Sequence, residues 1–310
     1  MPAAERCSRT DRPARRAVAG LVCGAALAAG GAACRRQAPV LPATRADGQW
    51  IWSATDLARW RQARAARPAL RPGVWTSTVW WEGGAAGGVR QRLALSPRIV
   101  APATDTTARV PLAVVVRFDD RMHAAWLAAD DGATGDSVIA AQLDARLKEL
   151  LRLVLATGAD VREVQLDYDC PVRRLARWAA VLRRLHAGAL AGREVWITSL
   201  VAHVAQRDFG AHFRGIVSGH IVQVFDTGDE PSPAAAARLA ANLDRAGLPF
   251  RLGVGAFERV VPSGDGGTRL THHRAWFALA PRIARSPWYR GLWVFPGGQP
   301  WESLVASPPR

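Results

Sequence analysis

A chain of 310 residues with 49% hydrophobic side chains is long enough for one large or two small domains and can bury a sizeable core. Its 22% charged residues and mean hydropathy of −0.02 exclude a multi-span membrane protein and a disordered chain. The net charge of +15 is not a nucleic-acid signature: Lys148 is the only lysine, the arginines are scattered rather than striped, and no nucleic-acid module is present. No nucleic-acid partner is therefore expected.

Residues 1–33 read as a secretory signal. Arg6, Arg9, Arg12, Arg15 and Arg16 form a basic head, and a small-residue apolar run follows from Ala17 to Ala33. Gly31-Ala32-Ala33-Cys34 resembles a bacterial lipoprotein signal, although Gly31 stands where a larger aliphatic residue is usual. The expectation is lipidation of Cys34, which anchors the mature chain to a membrane of the cell envelope. Ordinary cleavage after Ala26-Leu27-Ala28 is the alternative. Cys7 and Cys23 leave with the signal, so Cys170 stands alone and no intrachain disulfide is expected. Residues 34–47, polar and containing proline, read as a tether.

From residue 48 to 310, strand-like and helix-like runs alternate. Strands are predicted over Gln49–Ser53, Gly73–Glu82, Leu112–Asp119, Glu163–Asp169, Glu194–Leu200, His220–Asp226, Phe250–Phe257 and Gly291–Phe295, most rich in Val, Ile, Trp and Phe. Between the third and fourth, Leu143, Leu147, Leu150, Leu151 and Val154 recur at helical spacing. After the fourth, Val172, Leu175, Trp178, Ala179, Leu182 and Leu185 do the same, with Pro171 suited to the first turn. Ser232-Pro233 opens a later helix, which Gly247 and Pro249 close. Eight strands with intervening helices over this length fit a single (β/α)8 TIM-type barrel. A doubly wound open sheet is the alternative, opposed by the lack of a G-x-G-x-x-G after the first strand. Glu82–Pro111 shows no clear helix, and residues 259–271 read as a long Gly-rich loop.

A barrel of this kind gathers its chemistry at the C-terminal ends of its strands. On the fourth strand, Gln165, Asp167 and Asp169 share one face by the two-residue period, and buried polar groups are costly unless they serve a site or find partners. Mutual repulsion raises the pKa of one carboxyl and suits it to acid–base work. The other reading makes Asp169 a helix cap and pairs Asp167 with an arginine. Arg117, on the third strand, is expected to pair with a strand-four carboxylate and to help bind substrate. Asp226 and Glu258, ending strands six and seven, are candidates for the second carboxylate of a hydrolytic pair, although either suits an ordinary loop start. Trp52, Trp80 and Trp293, at or near strand ends, are candidate platforms for sugar C–H faces; core packing is the rival role for most of the 13 tryptophans. Histidine spacing gives no metal site, and no cofactor motif is present, so neither metal nor cofactor is expected.

The run from Val164 to Leu185, followed by EVWITSLV, HIVQVFDTG and FRLGVGAF, resembles a bacterial family described only as domain of unknown function 3142. That resemblance, over residues 49–300, implies a glycoside-hydrolase-like barrel at the envelope. The fourth strand is also reminiscent of chitinase-type barrels, whose D-x-x-D-x-D-x-E ends in an acid Glu. Asp167-Tyr168-Asp169 matches the D-x-D, and Pro171 takes the place of that Glu. The resulting expectation is an envelope-associated, glycoside-hydrolase-like protein acting on or binding carbohydrate. A non-catalytic glycan-binding lipoprotein and a structural lipoprotein are the alternatives.

Overall fold

A computed structural model describes residues 45–83, 87–94, 111–128, 133–225, 230–262 and 267–305. Its framework is a closed barrel of eight parallel strands: β1 (Ala46–Ile51), β2 (Arg71–Glu82), β4 (Leu112–Phe118), β5 (Val161–Asp167), β6 (Glu194–Leu200), β7 (Gly219–Gln223), β8 (Phe250–Gly255) and β11 (Tyr289–Phe295). Each pairs with the next, and β1 pairs with both β2 and β11, which closes the ring. This is the (β/α)8 architecture expected from the alternating runs.

The helices form where the sequence places them. The longest, Ala133–Leu155, precedes β5, and Leu143, Leu147, Leu150 and Val154 turn inward at helical spacing. After β5, one tight turn over Val172–Arg174 leads into the helix Leu175–Ala187, which buries Leu175, Trp178, Ala179, Leu182 and Leu185. The helix Pro233–Ala246 starts where the Ser232 side chain accepts a bond from the Ala235 N–H, and stops at Gly247, whose φ of 61° suits glycine.

Three segments depart from expectation. Within Glu82–Pro111, β3 (Gly88–Leu93) folds back antiparallel on β2, extending that strand as a hairpin beyond the barrel. The Gly-rich segment 259–271 carries a small antiparallel hairpin, β9 (Val260–Pro262) and β10 (Thr268–Leu270). Strand β1 begins at Ala46, inside the stretch read as tether.

Apolar residues form two cores, one between strands and helices and one inside the ring. The inner core holds Trp50, Ala113, Val115, Trp196, Ile221, Trp293 and Phe295. Space for Trp293 comes from two glycines on neighbouring strands: a Cβ on Gly48 would lie 2.5 Å from its ring, and one on Gly73 2.6 Å. Deeper in the ring, Arg251 donates to both carboxylate oxygens of Glu163, at 3.0 Å from Nη2 to Oε2, and Arg71 bonds Glu163 at 3.2 Å. Arg251 also stacks on Trp196, 3.5 Å from its ring centre. Among the described residues no helix is long and apolar enough to cross a membrane.

Candidate functional site at the C-terminal rim

The site residues emerge from the ends of β4, β5, β6 and β7. Asp167 closes β5 with its residue only 8% exposed. The Gln223 side chain, from the end of β7, donates Nε2–H to Asp167 Oδ1 at 3.2 Å. Thr198 of β6 accepts the Tyr168 backbone N–H at 2.9 Å and also bonds the Asp167 side chain. Arg117 lies beside Asp167 in the β4–β5 register. Burial, reinforced by the charge of Asp169, pushes the Asp167 carboxyl up to about 7, against the opposing pull of Arg117, Thr198 and Gln223. Desolvation dominates, so this carboxyl titrates close to neutral pH.

Asp169 lies two residues further out and is exposed. Its backbone carbonyl is 3.2 Å from His123 Nε2. Pro171 occupies the cap position of the following turn. Tyr168 points the other way, as alternation requires: its hydroxyl accepts the Trp126 indole N–H at 2.6 Å, and its ring packs on Trp178 and Phe118.

Arg117 does not close the expected ion pair. Its guanidinium lies over Trp52, with Cζ 5.4 Å from the ring centre, and acts on Asp167 only through its field. Trp52 in turn packs against Trp75 and Trp50, with ring centres 5.0 and 5.4 Å away. Trp80 lies outside the ring on the β2–β3 hairpin, pairs across strands with Arg90, and carries Arg121 over its face at 4.7 Å.

Two expected substrate contacts are corrected. Trp293 is wholly buried in the middle of the ring, where Gly48 and Gly73 make room for it, and offers no face to a ligand. Gln165 is also fully buried; its Nε2–H goes to Glu163 Oε1 at 2.6 Å, which makes it part of the inner polar layer. Glu258, half-buried after β8, lies 3.8 Å from His272 Nδ1. Asp226 and Cys34 lie outside the described residues. Burial pushes the Cys170 thiol up to about 12, which leaves it un-ionised at neutral pH and suits a packing role. Among the described residues no three His, Cys, Asp or Glu side chains are grouped to hold a metal ion.

Thr198, Gln223 and Trp75 do not stand out in the sequence. The alternation of β6, β7 and β2 is the only signal for them, since none carries charge.

No family model matches the chain, and no curated protein matches it in sequence. Solved structures do share its fold. The Bacillus megaterium spore cortex-lytic enzyme SleL superposes with a TM-score of 0.52 at 11% identity, over 86% of this chain and 76% of that one. A chitinase from Rhizomucor miehei gives 0.52 at 12% identity, over 81% and 94%. The xylanase–α-amylase inhibitor protein XAIP-I, solved with trehalose, gives 0.51 at 11%, over 84% and 96%. At such identities the likeness defines the fold class, a (β/α)8 barrel, and leaves function to the residues of the rim.

Proposed function

We propose that this protein is a glycoside-hydrolase-like barrel that acts on a carbohydrate at the bacterial cell envelope, anchored there by lipid on Cys34. The observation that carries the reading is the Asp167 carboxyl, desolvated at a strand end, pushed up to about 7 and set beside the exposed Asp169. Two carboxyls so placed cannot both ionise easily, and the pair holds one proton around neutral pH. Asp169 reaches a ligand at the rim; Asp167, deeper, orients and tunes it. Hydrolysis then passes the pair's proton through Asp169 to the glycosidic oxygen as its bond to the sugar carbon breaks, while water adds to that carbon and gives up its proton to a second carboxylate. The second carboxylate such chemistry needs is Asp226 or Glu258. Fold likeness to a lytic enzyme and a chitinase supports the reading. Kinship with domain of unknown function 3142, resting on the run from Val164, belongs to the same proposal.

A non-catalytic glycan-binding role is the second reading. Two observations favour it: the fold also serves an inhibitor protein solved with trehalose, and Glu258 leans on His272. Reducing-sugar release from a panel of bacterial and plant polysaccharides separates the two. The expected result is turnover by the full chain, cut about 10²–10⁴-fold by Asp169→Asn with binding retained. Binding without turnover in the unaltered protein selects the second reading, and neither binding nor turnover removes both.

A further inference from the structure

Three of the aromatic rings at or near the rim carry a cation over one face. Arg117 lies over Trp52 at 5.4 Å, Arg121 over Trp80 at 4.7 Å and Arg259 over Phe257 at 4.7 Å, each measured from Cζ to the ring centre. A neutral sugar stacks its C–H face on an open ring. Here a guanidinium group lies over one face of each of these rings, and all three arginines are exposed to solvent.

The three cations are not equivalent. Arg121 is tied to Asp119 by an ion pair of 2.8 Å. Arg259 follows Glu258 directly in the chain. Arg117 forms no ion pair among the described residues. Its neighbour across the β4–β5 register is Asp167, which is buried and takes its hydrogen bonds from Gln223 and Thr198 instead. Asp169, just beyond the end of β5, and Asp119, whose carboxyl is held below its usual range chiefly by Arg121 and in part by Arg117, are the other acidic groups there. A guanidinium held against an indole is restricted before a ligand arrives, and its fork of N–H donors matches the two oxygens of a carboxylate.

We propose that the rim takes an acidic glycan, one whose sugar rings carry carboxylates, and that Arg117 braced on Trp52 is the residue that selects it. This rests on the carbohydrate-directed reading above and names its substrate class. Trp52 thereby acts as the brace for a cation, in place of the sugar platform expected from sequence.

Calorimetric binding of the full chain to polygalacturonate and to its methyl-esterified form tests it, because esterification removes the charge and keeps the sugar backbone. The acid form is expected to bind at least about tenfold tighter. Arg117→Gln is expected to lose about 10–100-fold for the acid form and little for the ester, with Arg117→Lys between them. Arg61→Gln removes an equal charge from an exposed position on the helix following β1 and is expected to change neither affinity. Equal losses in Arg61→Gln and Arg117→Gln overturn the proposal, since they report general attraction to a basic chain. Equal affinity for the two polymers overturns it as well. Tighter binding to neutral xylan or chitin overturns the acidic class and leaves the carbohydrate reading standing, whereas failure to bind any polysaccharide removes that reading too.

Discussion

At the scale of single residues, Asp167 is where the physics of the site concentrates. Its carboxyl titrates at about 7 in the folded chain against 3.8 for a free side chain. Between those values the folded state holds a proton that the unfolded state has released. Unfolding therefore sheds a proton, and stability falls as pH rises through this window, by up to about 1.4 kcal/mol per pH unit. Asp167→Asn removes the titration. The Tm of the unaltered protein relative to that variant is expected to drop by several degrees from pH 4 to pH 8; a constant difference would place the carboxyl in its ordinary range. Asp167 and Asp169 are legible in the sequence because two carboxylates two apart on an apolar strand stand out by period and charge alone. Gln223, which holds Asp167, lacks any such mark. Trp293 misleads for a different reason: a tryptophan near a strand end looks the same pointing to a ligand or into the ring. What decides its place is the absence of side chains on Gly48 and Gly73, both remote in sequence.

At the scale of elements, the polar layer inside the barrel joins β2, β5 and β8. Glu163 receives Arg251 and Arg71 and accepts from Gln165, all within the ring. Arg251, only 3% exposed, cannot turn to water if that carboxylate is lost. Glu163→Ala is expected to cost about 3–5 kcal/mol, since it strands a buried cation, and urea unfolding should show a correspondingly lower midpoint. A loss below about 1 kcal/mol would mean that water replaces the carboxylate. The inward strands are legible because they are short, apolar and regularly spaced. The β2–β3 and β9–β10 hairpins are not, because their partners are adjacent segments of mixed polarity. Arg90, Gln91 and Arg92 in β3 give no apolar alternation to read, and Gly264, Gly266 and Gly267 make the later segment look like an open loop.

At the scale of the whole molecule, closure of the ring follows from β1 pairing on both sides, and it brings strand ends far apart in sequence to one rim. The alternation of eight strands with helices fits that closure, and the length of the chain and the lack of a G-x-G-x-x-G after the first strand favour it over an open sheet. The identity of the rim's cluster depends on lateral neighbours that alternation does not specify: Gln223 meets Asp167 across 56 positions of sequence. The envelope location proposed here depends on Cys34. Cys34→Ser is expected to move the protein from the membrane fraction to the soluble fraction after cell lysis, and retention in the membrane fraction would rule out lipid at that residue.

The central claim is that a carboxyl at the end of β5 keeps its proton near neutral pH. Carbon-13 NMR titration of the aspartate carboxyls, with Asp167→Asn identifying the resonance, measures it directly and needs no substrate. The expected result is one carboxyl titrating at about 7, absent from the variant. A resonance assigned to Asp167 that titrates near 4 would contradict the claim and take away the acid–base basis of the proposed activity.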